Sequence, residues 1–126
     1  MSTKIEADWI LKIMAAMAAA DQRLDAREVS LIQQVYERLT GEPVDIGGVV
    51  SAVQIYARKD VIEELSDVAG SLPLETKTAI LRAAYQATLA NNNVSQAERD
   101  NLDRIATALQ LSDAEFESVM TEATEV

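Results

Sequence analysis

The 126-residue chain contains no cysteine and no histidine. The first absence removes disulfides, thiolate metal ligands and thiol nucleophiles together. The second removes the side chain best suited to proton transfer near neutral pH, so neither the usual zinc sites nor a Ser-His or Cys-His nucleophile system can be assembled. Carboxylate, lysine and tyrosine chemistry is all that is left for an enzyme. No base or nucleophile stands in a recognisable constellation, so the chain reads as non-catalytic. Bases are also few, with 11 Lys and Arg against 21 Asp and Glu and a formal net charge of -10. A nucleic-acid backbone or an anionic membrane surface would be repelled by that charge, which leaves cations and basic protein surfaces as partners. No apolar run approaches the length of a membrane span.

Aromatics are scarce as well, with one Trp, three Tyr and one Phe, whereas alanine occurs 20 times. A core made of such small side chains comes from closely approaching helices and not from bulky sheet packing, so the composition predicts an all-α fold. The length suits one domain that buries a real core. The run from Trp9 to Ala20 superficially resembles a secretory segment with a cleavage site. Glu6 and Asp8 stand where a positive region belongs and Lys12 interrupts the run, so the expectation is an amphipathic core helix in a cytoplasmic protein.

Residues 10–39 are written a second time, degenerately, at 80–109, with an offset of 70 and no gap. Ile10/Ile80, Leu11/Leu81, Ala20/Ala90, Glu28/Glu98 and Leu39/Leu109 are identical, and Lys12/Arg82, Ile32/Leu102 and Val35/Ile105 keep their chemical type. Within each unit the apolar spacing predicts helix, short polar loop, helix. Ile10, Ile13, Met14 and Met17 form one helix face and Ile32, Val35, Tyr36 and Leu39 the next; in the second unit Ile80, Ala83, Ala84 and Ala87 match Leu102, Ile105, Ala106 and Leu109. The second helix stops near Gly41-Glu42-Pro43, and Leu72-Pro73 opens the first helix of the second unit, proline taking an early position where its missing N–H costs nothing. Between the units, Val49, Ala52, Val53 and Tyr56 predict one shorter helix and Val61, Leu65 and Val68 another. A last helix starts at Ser112 and turns Phe116, Val119 and Met120 inward. The expected architecture is a single helical domain of two pseudo-symmetric helix-loop-helix units joined by two shorter helices, with a C-terminal helix. The alanine-rich helices should pack together, with Ala18 or Ala87 at a tight crossing.

The chemistry lies in the loops. Asp21, Asp25 and Glu28 fall within one loop and the following helical turn, so three carboxylates converge, and calcium or magnesium favours such hard oxygen clusters. Asp21 to Asp25 and Asn91 to Ser95 are similar to the start of a calcium-binding EF loop. The match then fails, because Ala26 and Gln96 occupy the glycine position and Ile32 and Leu102 the bidentate glutamate position. Capping boxes explain the same residues structurally: Asp25 to Glu28 and Ser95 to Glu98 have the form in which the first side chain accepts a helix N–H and the glutamate reaches back. Asp60 to Glu63 and Ser112 to Glu115 repeat it outside the duplicated units.

Ala19-Ala20-Asp21-Gln22-Arg23-Leu24-Asp25-Ala26-Arg27-Glu28, an alanine-rich helix end followed by a short loop, an aliphatic residue, Asp and a later Glu, resembles the TerB-like family, named for tellurite resistance. Asn91 to Glu98 with Ala108-Leu109-Gln110-Leu111-Ser112 resembles that family's C-terminal half. The resemblance implies an all-helical module of two pseudo-symmetric units that serves bacterial stress responses through protein partners. It also implies a divalent-cation site, Ca or Mg, whose matching positions here are Asp21, Asp25, Glu28 and Glu98. The second loop carries Asn91 and Ser95 where the first carries Asp21 and Asp25, so the acidic set is complete in the first loop alone. Two functions follow as expectations: a non-catalytic stress-response module that works through protein partners, with weak cation binding at the acidic loop, or a dedicated cation-binding protein using Asp21, Asp25 and Glu28.

Overall fold

A computed structural model of the chain describes residues 4–20, 26–57, 59–88 and 96–124, with side chains 20, 87, 88, 97, 98, 123 and 124 excluded. Among these residues the fold is all-α, with seven α-helices and no strand. They are α1 (Lys4–Ala20), α2 (Ala26–Thr40), α3 (Ile46–Tyr56), α4 (Val61–Val68), α5 (Leu74–Thr88), α6 (Gln96–Ala108) and α7 (Asp113–Thr124). No helix among the described residues is long and apolar enough to cross a membrane.

The centre of the structure is the pair α1 and α5, which share the most extensive contact in the molecule. Ala15 and Ala18 on α1 and Ala83 and Ala84 on α5 are all buried, and methyl side chains let two helix axes approach closely. Larger side chains complete the layer on either side: Ile10, Ile13 and Met14 from α1, Ile80 and Leu81 from α5. Around this pair, α2 and α3 pack on α1, α2, α6 and α7 pack on α5, and α4 lies against α6. Ala18 is buried; the side chain of Ala87 lies outside the described residues.

Each duplicated unit supplies two helices among the described residues, α1 with α2 and α5 with α6. The intervening stripes also hold: Val49, Ala52 and Val53 are buried on α3 and Val61 and Leu65 on α4. Val68 is only half-buried, because the chain tightens into a 3₁₀ turn at Ala69–Ser71 that carries Ala69 into the core instead. Pro73 differs slightly from expectation. It precedes α5, and its carbonyl accepts the Lys77 N–H at 3.0 Å, so proline contributes an acceptor from the cap position and its absent N–H is still not missed.

Two of the four expected capping boxes lie within the described residues. Asp60 accepts the Glu63 N–H at 3.0 Å. Ser112 and Glu115 form the full reciprocal pair, the Glu115 N–H donating to Ser112 Oγ at 3.1 Å and the Ser112 N–H to Glu115 Oε1 at 2.8 Å. The Ser112 backbone N–H, and after it the Ser112 hydroxyl, hold the Glu115 carboxyl below its ordinary pKa. Asp45 caps α3 through the Gly48 N–H at 2.6 Å without a returning glutamate, so it escapes the box pattern. The boxes beginning at Asp25 and Ser95 lie outside the described residues.

The C-termini of α2 and α6 diverge. After α2, Gly41 takes φ 77° and its N–H donates to Glu37 O at 2.8 Å, the single-bond left-handed cap. After α6, Gln110 takes φ 61°, with Gln110 N–H donating to Thr107 O and Leu111 N–H to Ala106 O, both at 3.0 Å, the double-bonded Schellman form. Glycine adopts this conformation without a Cβ clash, whereas glutamine is strained there. Gln110→Gly is therefore expected to raise the unfolding free energy by about 0.5–1 kcal/mol. Urea denaturation checks it, and an unchanged or lower midpoint would contradict the strained cap.

Candidate functional site

Of the four residues expected to hold a cation, Asp21 and Asp25 lie outside the described residues, as does the side chain of Glu98, whose backbone belongs to the first turn of α6. Glu28 is described. It sits in the first turn of α2 with 6% exposure, and it is not free of partners. Glu6 is likewise buried in the first turn of α1, and the residue 70 positions later, Thr76, is buried in the first turn of α5. Among the described residues no three Asp, Glu, His or Cys side chains are grouped so as to hold a metal ion.

The described residues bring a different set together, at the seam between α1 and α3. Trp9 and Lys12 are one helical turn apart on α1 and so share a face. The Lys12 ammonium lies 4.5 Å from the Trp9 ring centroid and 5.2 Å from that of Tyr56, the last residue of α3. Glu64 of α4 closes the group, its Oε2 standing 3.5 Å from Lys12 Nζ and shielded from solvent, without a hydrogen bond. Lys12 is the more enclosed partner, with 19% of its side chain exposed. An ammonium over an aromatic face is attracted by the ring quadrupole, and partial desolvation strengthens that attraction. The cation therefore ties α1 to α3 and α4, which lie far from it in sequence.

Beside this group a cleft of about 520 Å³ runs between the helices, lined by Trp9, Leu11 and Lys12 of α1 and Ser51, Ile55 and Tyr56 of α3. From Gly48 to Tyr56 it follows α3 for roughly 12 Å, about two helical turns. Its outer wall is unusual in this chain. One quarter of all residues are charged, yet α3, Ile-Gly-Gly-Val-Val-Ser-Ala-Val-Gln-Ile-Tyr, contains no charge at all. Its solvent face presents Ile46 at 62% exposure and Ile55 at 52%, with Ser51 and Gln54 between them.

The rim of the cleft is acidic. Asp8 lines it directly. Tyr36 of α2 has its phenol held above the ordinary value, first by burial and then by the negative charges of Glu42 and Asp8, so both carboxylates act on one small region. Asp45 follows in the same connection, which is pinned to α2 by Gln33 Nε2 donating to Val44 O at 2.9 Å. The one base in the lining, Lys12, is already engaged by Glu64 and two rings. The available field is therefore negative.

Sequence patterning marks part of this site and misses the rest. The Trp9/Lys12 spacing and the uncharged stretch 46–56 are both visible in the sequence, but Glu64, 52 positions from Lys12, carries no sequence signal that pairs it with that lysine. Lys12→Gln is expected to lower stability by about 1 kcal/mol, the scale of a partly exposed cation–π contact with its ion pair. Because Trp9 is the single tryptophan, its emission should shift in the same variant. An unchanged spectrum and denaturation midpoint would mean that the ammonium does not rest on the rings.

No protein-family model, no curated protein and no solved structure matches this chain.

Proposed function

We propose that the chain is a non-catalytic helical module that acts by holding a protein partner, of the stress-response kind that the TerB-like resemblance implies, in a cytoplasmic setting. The observation that carries the reading is the charge-free outer face of α3, with Ile46 and Ile55 exposed beside the cleft against α1. Exposed apolar area rimmed by polar residues is the common form of a protein-interaction surface, and depletion of charge at its centre is the compositional sign. The partner chemistry follows from the rim. Asp8, Glu42 and Asp45 favour an amphipathic helix whose apolar side chains cover Ile55, Trp9 and Leu11 and whose flanking bases meet the carboxylates. The net charge of -10 steers the same class of partner over longer range.

Ile55→Arg tests this, because residue 55 is exposed and the substitution sets a positive charge in the path of a basic helix. Wild type used as bait in its native cell should retain a partner that the variant loses, with loss of at least tenfold in affinity once that partner is purified. Hydrogen exchange in the purified complex should slow across α3 and the first half of α1. Equal retention by both proteins, or protection confined to α6 and α7, would overturn the reading.

Weak divalent-cation binding at Asp21, Asp25 and Glu28 belongs to the same proposal, supported by Glu28 lying buried where α2 leaves that loop. Three carboxylates without a full oxygen cage should bind calcium or magnesium with a dissociation constant on the order of 10⁻⁴ to 10⁻³ M. At a hundredfold excess the linkage raises stability by roughly 2.7 kcal/mol. Thermal melts with calcium, magnesium and chelator should show that rise for wild type and not for Asp21→Asn/Glu28→Gln. Identical behaviour of the two proteins at millimolar cation would remove the cation from the proposal and leave the partner.

A further inference from the structure

We propose that a second cleft, where α1, α4 and α6 converge, binds a small amphiphile with an anionic head, a short-chain carboxylate being the simplest case. The cleft has a volume of about 290 Å³. Its floor is apolar: Ile13 and Met17 of α1, Val61 of α4 and Ile105 of α6, all buried. The space exists because α1 presents Ala16 and Ala19 there, both half-buried, where larger side chains would fill it. The rim carries Lys59 and Arg104, both exposed.

The two bases have no competing anion among the described residues. Neither forms an ion pair there, whereas Lys12 and Arg82 do. Among the described residues, two acids near these bases accept hydrogen bonds from elsewhere. Asp60 lines the cleft but turns Oδ1 to the Glu63 N–H at the start of α4. Asp100, one turn from Arg104 on α6, accepts from Gln96 Nε2 at 3.0 Å. A bound anion therefore meets two bases and one capped carboxylate at the mouth, and an apolar tail meets an apolar floor. The volume lies just below the roughly 300–1,000 Å³ of ordinary ligand pockets, which limits the tail to a short chain. This site shares only Tyr56 with the lining of the α1–α3 cleft and stands whether or not a protein partner docks there.

Octanoate, octanol and inorganic phosphate serve as probes, titrated into the full chain with amide chemical shifts recorded. Octanoate should perturb Ala16, Ile62 and Ile105, and octanol, the same tail without charge, should bind about tenfold more weakly, as should phosphate. Exposed ion pairs each contribute up to about fivefold, so Lys59→Gln/Arg104→Gln should bring octanoate affinity down about tenfold, to that of octanol. Ala16→Phe fills the floor and should abolish binding of both chains. If that variant fails to fold, the double variant decides alone, since its two positions are exposed. Equal affinity for octanoate and octanol, phosphate binding as tightly as octanoate, no loss in the double variant, or shifts centred elsewhere would each overturn the proposal.

Discussion

Close contact between α1 and α5 is the constraint on which the other helices depend. Both helices bury alanines, small enough to let two axes approach, and each remaining helix lies against one of these two, or, for α6, between α5 and α4. An interior packed at native density cannot stretch to fit a larger residue at such a crossing, so a methylene added at Ala15, Ala18, Ala83 or Ala84 would push apart both halves of the structure. The rest of the core, including Ile32, Leu65, Ile105 and Leu109, fills the spaces this spacing leaves.

The same economy of side-chain size shapes the surface. Small residues bring helices together where they face one another and leave clefts where they do not, as Ala16 and Ala19 do above Met17 and Ile105. On α3 the consequence is different, because a helix without charge must either be buried or be covered. One face, Val49, Ala52 and Val53, is buried in the core, and the other holds Ile46 and Ile55 in solvent. The functional reading of the module rests on that second face.

Charge is distributed so that much of the acid excess serves local structure. Asp45, Asp60 and Glu115 satisfy helix N-terminal donors, and Glu64 and Glu122 pair with Lys12 and Arg82 across helices. Those pairings have unequal weight. Arg82 and Glu122 meet at 2.7 Å on an exposed surface, where such a pair contributes little, while Lys12 is partly enclosed by rings that screen it from water. Arg38 donating to the buried Gln86 at 2.9 Å adds a directional tie between α2 and α5.

Local pattern alone determined the helical content, the inward faces of α3, α4 and α7, the Ser112–Glu115 box and the stop at Gly41, because each depends on residues within a few turns of one another. The left-handed Gln110 escaped, since nothing in its side chain marks that conformation and the hydrogen bonds to Ala106 and Thr107 impose it. Pro73 shifted by a position for a similar reason, the carbonyl being as useful to the helix as the ring. The candidate sites were less legible. The loop acids stood out in the sequence as a cluster, whereas Lys12 with Glu64, and Lys59 with Arg104, are neighbours only after the chain has folded. Tertiary structure alone decided which of the described bases are engaged and which face an open cleft, because side chains 40 or more residues apart meet only when packing has set the distance between their helices.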